Sequence, residues 1–347
     1  MIMIPKYQTI EFSGRACAGV AGLYDLTKGK NRGYIDANSG LWIPGRDVIT
    51  GRTGWFGNII TNYGMNALND AIYGSLSGYF HVGTGTTAPV ATDTTLETWV
   101  ASSNTSSFGN PVVTAQGSAP YYGSSITTKR FGEGVAEGTI SEVGCGDDPT
   151  NINMYSRALV TTAGGSPTTI AVAADEWLDV AYEHRLYPDH ILSGGGADDG
   201  TGTIAFSGTN YDYVIRPAII TNVNFLSAGD CRGKMIPQPG SIYQCKIGGT
   251  GSALGAATAG PTGSNHHFGT ITSSAYSTDS FTRDSTIDWA LSNGNETGGI
   301  VTLQIQTGQG GYQLSFDLTS GSGGVPKDGT KVASYTHTVT WARATIP

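Results

Sequence analysis

Residues 80–98 read FHVGTGTTAPVATDTTLET, and the G-x-G at Gly83 and Gly85 raises a first chemical possibility. A glycine turn can cradle a phosphate on its backbone amides when it follows a strand and opens a helix inside a parallel βαβ unit. Here the third glycine is missing, because Ala88-Pro89 follows Thr86-Thr87. The stretch therefore reads as a strand end, a glycine turn and a polar connection.

The other reactive residue types fare no better. His266-His267 sits in a Gly/Ser-rich segment, where adjacent side chains point in different directions and no spaced third ligand follows. Asp198-Asp199 among glycines is the kind of loop that offers oxygens to Ca²⁺, yet it matches neither the EF-hand loop nor the nonapeptide calcium repeat. It reads as a solvated turn, as does Asp147-Asp148 before Pro149. Glycan hydrolysis needs a pair of carboxylates. Glu133, Glu137, Glu142, Asp175, Glu176 and Asp179 are available, but nothing in their spacing singles out two. No G-x-S-x-G nucleophile elbow is present. Exposed Tyr and Trp could stack on sugars or anchor an interface, although individually each reads as core. The sequence thus supports no catalytic, cofactor-binding or metal-ligating residue, and the expectation is a protein that is not an enzyme.

The elements that would hold any site are strands. Of 347 residues 51 are glycine, and charged residues are 13%, half the usual share. β-Branched and aromatic residues with frequent glycine breaks favour short strands joined by turns. The fold class expected is mostly β, with antiparallel sheets in a sandwich-like arrangement, one short helix near residues 58–76 and an extended N-terminal arm. In that helical stretch Thr61, Met65, Leu68 and Ile72 form the apolar stripe, with Asn58 or Thr61 as cap. In WLDVAYEHRLY, Leu178, Val180, Tyr182, His184 and Leu186 share one face and Asp179, Glu183 and Arg185 the other, as in a sheet with one wet face. Residues 298–318 read as a hairpin, and the tail places Tyr335, His337, Val339 and Trp341 on one face. Residues 226–280 carry the weakest pattern, a long loop or an interface segment.

Three segments follow: an arm over residues 1–57, a β-rich domain over 58–220 and a second over 221–347. The arm wraps a neighbour or is a flexible leader; its composition allows both. A formal net charge of −8, with 19 Lys and Arg and no basic cluster, leaves out the electrostatic footprint of a nucleic-acid binder. Cys17, Cys145, Cys231 and Cys245 lack zinc spacing and read as reduced thiols of a protein made in a cytoplasm. No signal peptide or membrane-length apolar run is visible, so a role outside cells would follow from assembly and lysis.

NIITNYGMNAL, YFHVGTGTTAPVATDTTLET, ISEVGCG, MYSRALV, TTIAVAADEWLDVAYEHRLYP and YDYVIRPA occur in this order, followed by RDSTIDWALSNGNETGGI and PKDGTKVASYTHTVTWAR. The series resembles virion proteins of tailed bacteriophages, of the tail, tail-fibre or minor structural type, over roughly residues 58–347. That resemblance implies a structural protein without enzymatic activity, located in the virion. The expected role is a homo-oligomeric part of the tail apparatus at a fibre base, collar or baseplate, trimeric or in a sixfold or twelvefold ring. Its expected partners are copies of itself and other tail or capsid proteins, with neither nucleic acid nor membrane among them. The alternatives are a capsid decoration or head-fibre protein, or a module that binds host-surface glycans.

Overall fold

Glycine breaks and β-branched residues make strand the favoured backbone state, and strand is what forms. The computed structural model describes residues 8–31, 34–35, 42–43, 47–68, 78–107, 112–116, 122–162, 164–192, 201–218, 245–256, 259–263, 266–307 and 310–344. Among these the strands run from β1 to β26 in chain order, with one helix, α1 (Asn62–Ala67).

Nine strands form the largest sheet. Its order is β20 (Thr270–Ser273), β21 (Thr282–Trp289), β26 (Lys331–Arg343), β1 (Gln8–Asn31), β15 (Trp177–Leu192), β10 (Tyr122–Phe131) and β9 (Val112–Gln116). Two more strands, β4 (Asp47–Arg52) and β5 (Phe56–Gly57), also pair with β1. Neighbours are antiparallel except β1 and β26, which run parallel. A five-stranded sheet has the order β6 (Ile59–Ile60), β13 (Met154–Leu159), β12 (Glu142–Gly146), β7 (Tyr79–Gly83) and β8 (Trp99–Ser103). A six-stranded sheet runs β16 (Thr201–Phe206), β17 (Thr209–Ala218), β24 (Gly310–Leu318), β23 (Thr302–Thr307), β18 (Lys246–Gly248) and β19 (His266–Phe268). Three small pairs complete the architecture: β2 (Tyr34–Ile35) with β3 (Trp42–Ile43), β11 (Gly138–Ile140) with β14 (Ile170–Val172), and β22 (Glu296–Ile300) with β25 (Val325–Lys327). The chain is mostly β with antiparallel sheets, as its composition predicts.

The N-terminal segment is extended, and its partners are strands of its own chain. The helix falls inside the 58–76 stretch and starts at the predicted cap, where the Thr61 hydroxyl accepts from the Gly64 amide. Ile59 and Ile60 join the sheet as β6 before it, as suits two β-branched residues. Met65 and Leu68 of the stripe are buried; Ile72 lies outside the described residues. The expected hairpin is β23–β24, in register from Thr302–Ser315 to Thr307–Gly310. The tail strand buries Tyr335, His337, Val339 and Trp341, each at most 2% exposed.

Two expectations need correction. Residues 226–280 are not structureless where described, since β18, β19 and β20 lie there and pair with distant strands. Nor is the polar face of β15 wet. Asp179 and Glu183 are 4% and 7% exposed, covered by Arg130 and Arg185. Arg130 reaches across from β10 to grip Asp179 with two nitrogens while its guanidinium lies 4.1 Å from the Trp177 ring centre.

Two apolar cores result. The first gathers residues 24–182 with Val339 and Trp341; the second gathers residues 204–335. The last strand, β26, feeds both, with Ala333 and Tyr335 in one and Val339 and Trp341 in the other. Residue 221, the expected domain boundary, lies outside the described residues.

Candidate functional site

The five-stranded sheet carries the densest polar arrangement. Glu142 on β12 is fully buried, and Arg157 on the adjacent β13 is 3% exposed. Two opposite charges on neighbouring strands, each in an otherwise apolar run, meet there. Glu142 Oε2 accepts from Arg157 Nε at 3.0 Å and Nη2 at 2.8 Å. The same oxygen accepts from the Glu97 amide at 3.1 Å, while Oε1 accepts from the amides of Gly85 at 3.0 Å and Thr98 at 2.7 Å.

Arg157 then extends outward to the loop between β7 and β8. Its Nη1 donates to Asp93 at 2.8 Å and its Nη2 to the Thr87 carbonyl at 3.1 Å. Glu97 closes the other side, taking the amides of Thr86 and Thr87 at 2.7 Å each and the Thr87 hydroxyl at 2.7 Å. The Thr87 amide, then its hydroxyl and the Thr86 amide, hold the Glu97 carboxyl below its ordinary range. The glycines permit the approach: a Cβ on Gly83 would stand 2.6 Å from Glu142 Oε1, and one on Gly85 would overlap the same oxygen.

Three amides of the G-T-G-T-T turn, those of Gly85, Thr86 and Thr87, therefore face anions. Those anions are side chains of the same chain, Glu142 and Glu97. Both Glu142 oxygens are saturated with donors, which leaves neither a base nor a nucleophile to offer a substrate. What the arrangement does is fasten the 84–98 loop to the sheet beneath it. Of the carboxylates weighed in the sequence, Glu142 has this central role, and Arg157 was missed. The signal that could have found them is one acid in ISEVGCG and one base in MYSRALV, both otherwise apolar strands.

The remaining candidates are dispersed. Lys28 and the Thr50 hydroxyl bind Glu176, whose carboxyl is lowered to about 2, chiefly by Thr50 and the Ala173 amide. Asp175 pairs with Lys30 at the surface. Glu133 and Glu137 are exposed. Asp147 accepts from the Tyr63 hydroxyl and Asp148 from Thr150, as turn carboxylates do. His267 bonds Glu296 at 2.8 Å whereas His266 Nδ1 faces Lys246 Nζ at 3.4 Å, so the adjacent rings take different partners. Asp198 and Asp199 lie outside the described residues. Among the described residues no group of three or more His, Cys, Asp or Glu side chains is placed to hold a metal ion. No described helix is long and apolar enough to cross a membrane. Cys145 and Cys245 are buried thiols; burial raises that of Cys145 to about 11. Trp177, Trp289 and Trp341 are core, while Trp99 on the edge strand β8 is 43% exposed.

Compared with protein-family models, curated proteins and solved structures, the chain matches none.

Proposed function

We propose that this chain is a non-enzymatic structural protein of a tailed-bacteriophage virion, a homo-oligomeric part of the tail apparatus at a fibre base, collar or baseplate. One observation carries the reading. Three of the ordered blocks behind the resemblance, residues 79–98, 140–146 and 154–160, fold onto a single buried cluster built on Glu142 and Arg157. That cluster uses its charges to hold a loop in place, which supports reading the blocks as parts of a scaffold. Low charge density and abundant small residues suit a subunit buried against its neighbours.

The test is copy number per particle, from quantitative mass spectrometry of purified virions against the major capsid protein. A small multiple of three or six supports a tail position. Hundreds of copies would move the protein to the capsid surface, and its absence from virions would overturn the structural reading.

A further inference from the structure

The nine-stranded sheet is assembled from two blocks. One, β20-β21-β26, comes from the C-terminal part of the chain; the other, β15-β10-β9, comes from residues 112–192. Within the sheet they are joined through β1, which pairs with both. Its register runs antiparallel to β15 from Gly14–Leu192 to Gly29–Trp177, and parallel to β26 from Gln8–Lys331 to Val20–Arg343. Without β1, β15 and β26 would each present a long unpaired edge, a form of surface that proteins rarely leave open.

Chain order decides when the slot can be filled. The parallel partner of the first long strand is the last strand, so residues 8–31 exist long before residues 331–343 complete the slot. Pairings of such sequence separation form late, and late-closing strands are where copies interchange elements. A strand from the same chain and one from a neighbour make identical hydrogen bonds in the slot. In an assembly, the neighbour's strand competes at a high effective concentration.

The slot also selects this sequence. A Cβ at position 22 would overlap the Tyr182 hydroxyl, and one at position 29 would overlap the Trp177 ring. Two residues on from Gly22, Tyr24 and then Leu26 fill the first core completely. The slot thus favours a strand with glycine at those two positions, which residues 8–31 of any copy supply.

We propose that the slot between β15 and β26 is a strand-exchange site, filled in the assembly by residues 8–31 of a second copy. The proposal rests on the homo-oligomeric reading above and names its contact.

The register supplies the test, because Cys17 lies opposite Thr340. A full-length Thr340→Cys/Cys231→Ser variant, purified as its native assembly, is oxidised or treated with a short bismaleimide. Native mass and denaturing non-reducing electrophoresis are then read on the same sample. Exchange predicts covalent multimers whose linked peptides join residue 17 to position 340. A native multimer that falls to internally linked single chains overturns exchange and leaves self-association standing. A native monomer overturns both. Failure of residue 17 and position 340 to link by either reagent also overturns the proposal, because the register it requires is then absent.

Discussion

Replacing Glu142 by Gln keeps the side chain's shape and removes its charge, which isolates the buried cluster. The amide retains one oxygen where the carboxylate had two. If it retains the oxygen facing Gly85 and Thr98, its NH₂ points at the Glu97 amide and Arg157; the reverse orientation sets NH₂ against Gly85 and Thr98. The first orientation leaves three N–H donors without an acceptor, the Glu97 amide and Arg157 Nε and Nη2, and the second leaves two, inside a site with no solvent access, since Glu142 is 0% exposed. Removing one partner of a buried ion pair costs roughly 3–5 kcal/mol. Arg157 keeps Asp93 at 2.8 Å, so the lower end applies, about 3 kcal/mol. For a chain of this size that lowers Tm by about 4 °C.

The assay is denaturant unfolding of wild type, Glu142→Gln, Arg157→Met and the double variant. Glu142→Gln should be the more damaging single change, because it also strips acceptors from backbone amides. The cycle should show coupling of about 1–3 kcal/mol. Hydrogen exchange gives the local readout, with protection falling at the amides of Gly85, Glu97 and Thr98. A loss below about 1 kcal/mol, with those amides still protected, would refute the clamp.

The fold carries other testable consequences. Burial lowers His184 and His337 to about 3 and His81 to about 4, below the ordinary imidazole value near 6.5. Their neutral forms fit the fold, so stability is lost as pH falls below about 6.5, by roughly 2 kcal/mol per histidine at about pH 5. The Glu176 carboxyl adds a loss in the same direction at lower pH, below its ordinary value and toward about 2. Thermal melts across this range check the slope, and an NMR titration of a native His184 or His337 ring near 6.5 would contradict it. Gly83→Ala drives a Cβ to 2.5 Å from the Thr98 carbonyl and should cost about 1–3 kcal/mol, whereas Gly57→Ala, with open space around it, should change Tm little. Trp341→Phe deletes the indole donor to the Met65 carbonyl at 2.8 Å and weakens the stack on Tyr276, a loss of about 1–3 kcal/mol. Hydrogen exchange at residues 61–68 should accelerate in that variant, and an unchanged rate would detach the helix from the last strand.

What was legible in the sequence was whatever pairs locally or alternates cleanly. The β23–β24 hairpin turns within a few residues, and β26 carries four core side chains at period two, so both announce themselves. The partners of β1 do not. Its SGRACAGVAG stretch has too many small residues to show a face, and its parallel neighbour lies at the far end of the chain. β18 and β20 are hidden for a related reason: three or four residues become a strand because Leu303 or Ile287 lies alongside, and no local pattern records that. The face of β15 was misjudged because alternation reports polarity and not exposure. Asp179 is polar in sequence yet covered once Arg130 crosses from β10. The Glu142 cluster combines both difficulties. Its cation is fifteen residues away on the next strand, and three of its donors are backbone amides, which no residue type reveals. Glycine was the one visible trace. Gly83 and Gly85 resemble a phosphate cradle because the physical demand is the same, close approach of backbone to an anion. Only the fold specifies that the anion belongs to the protein.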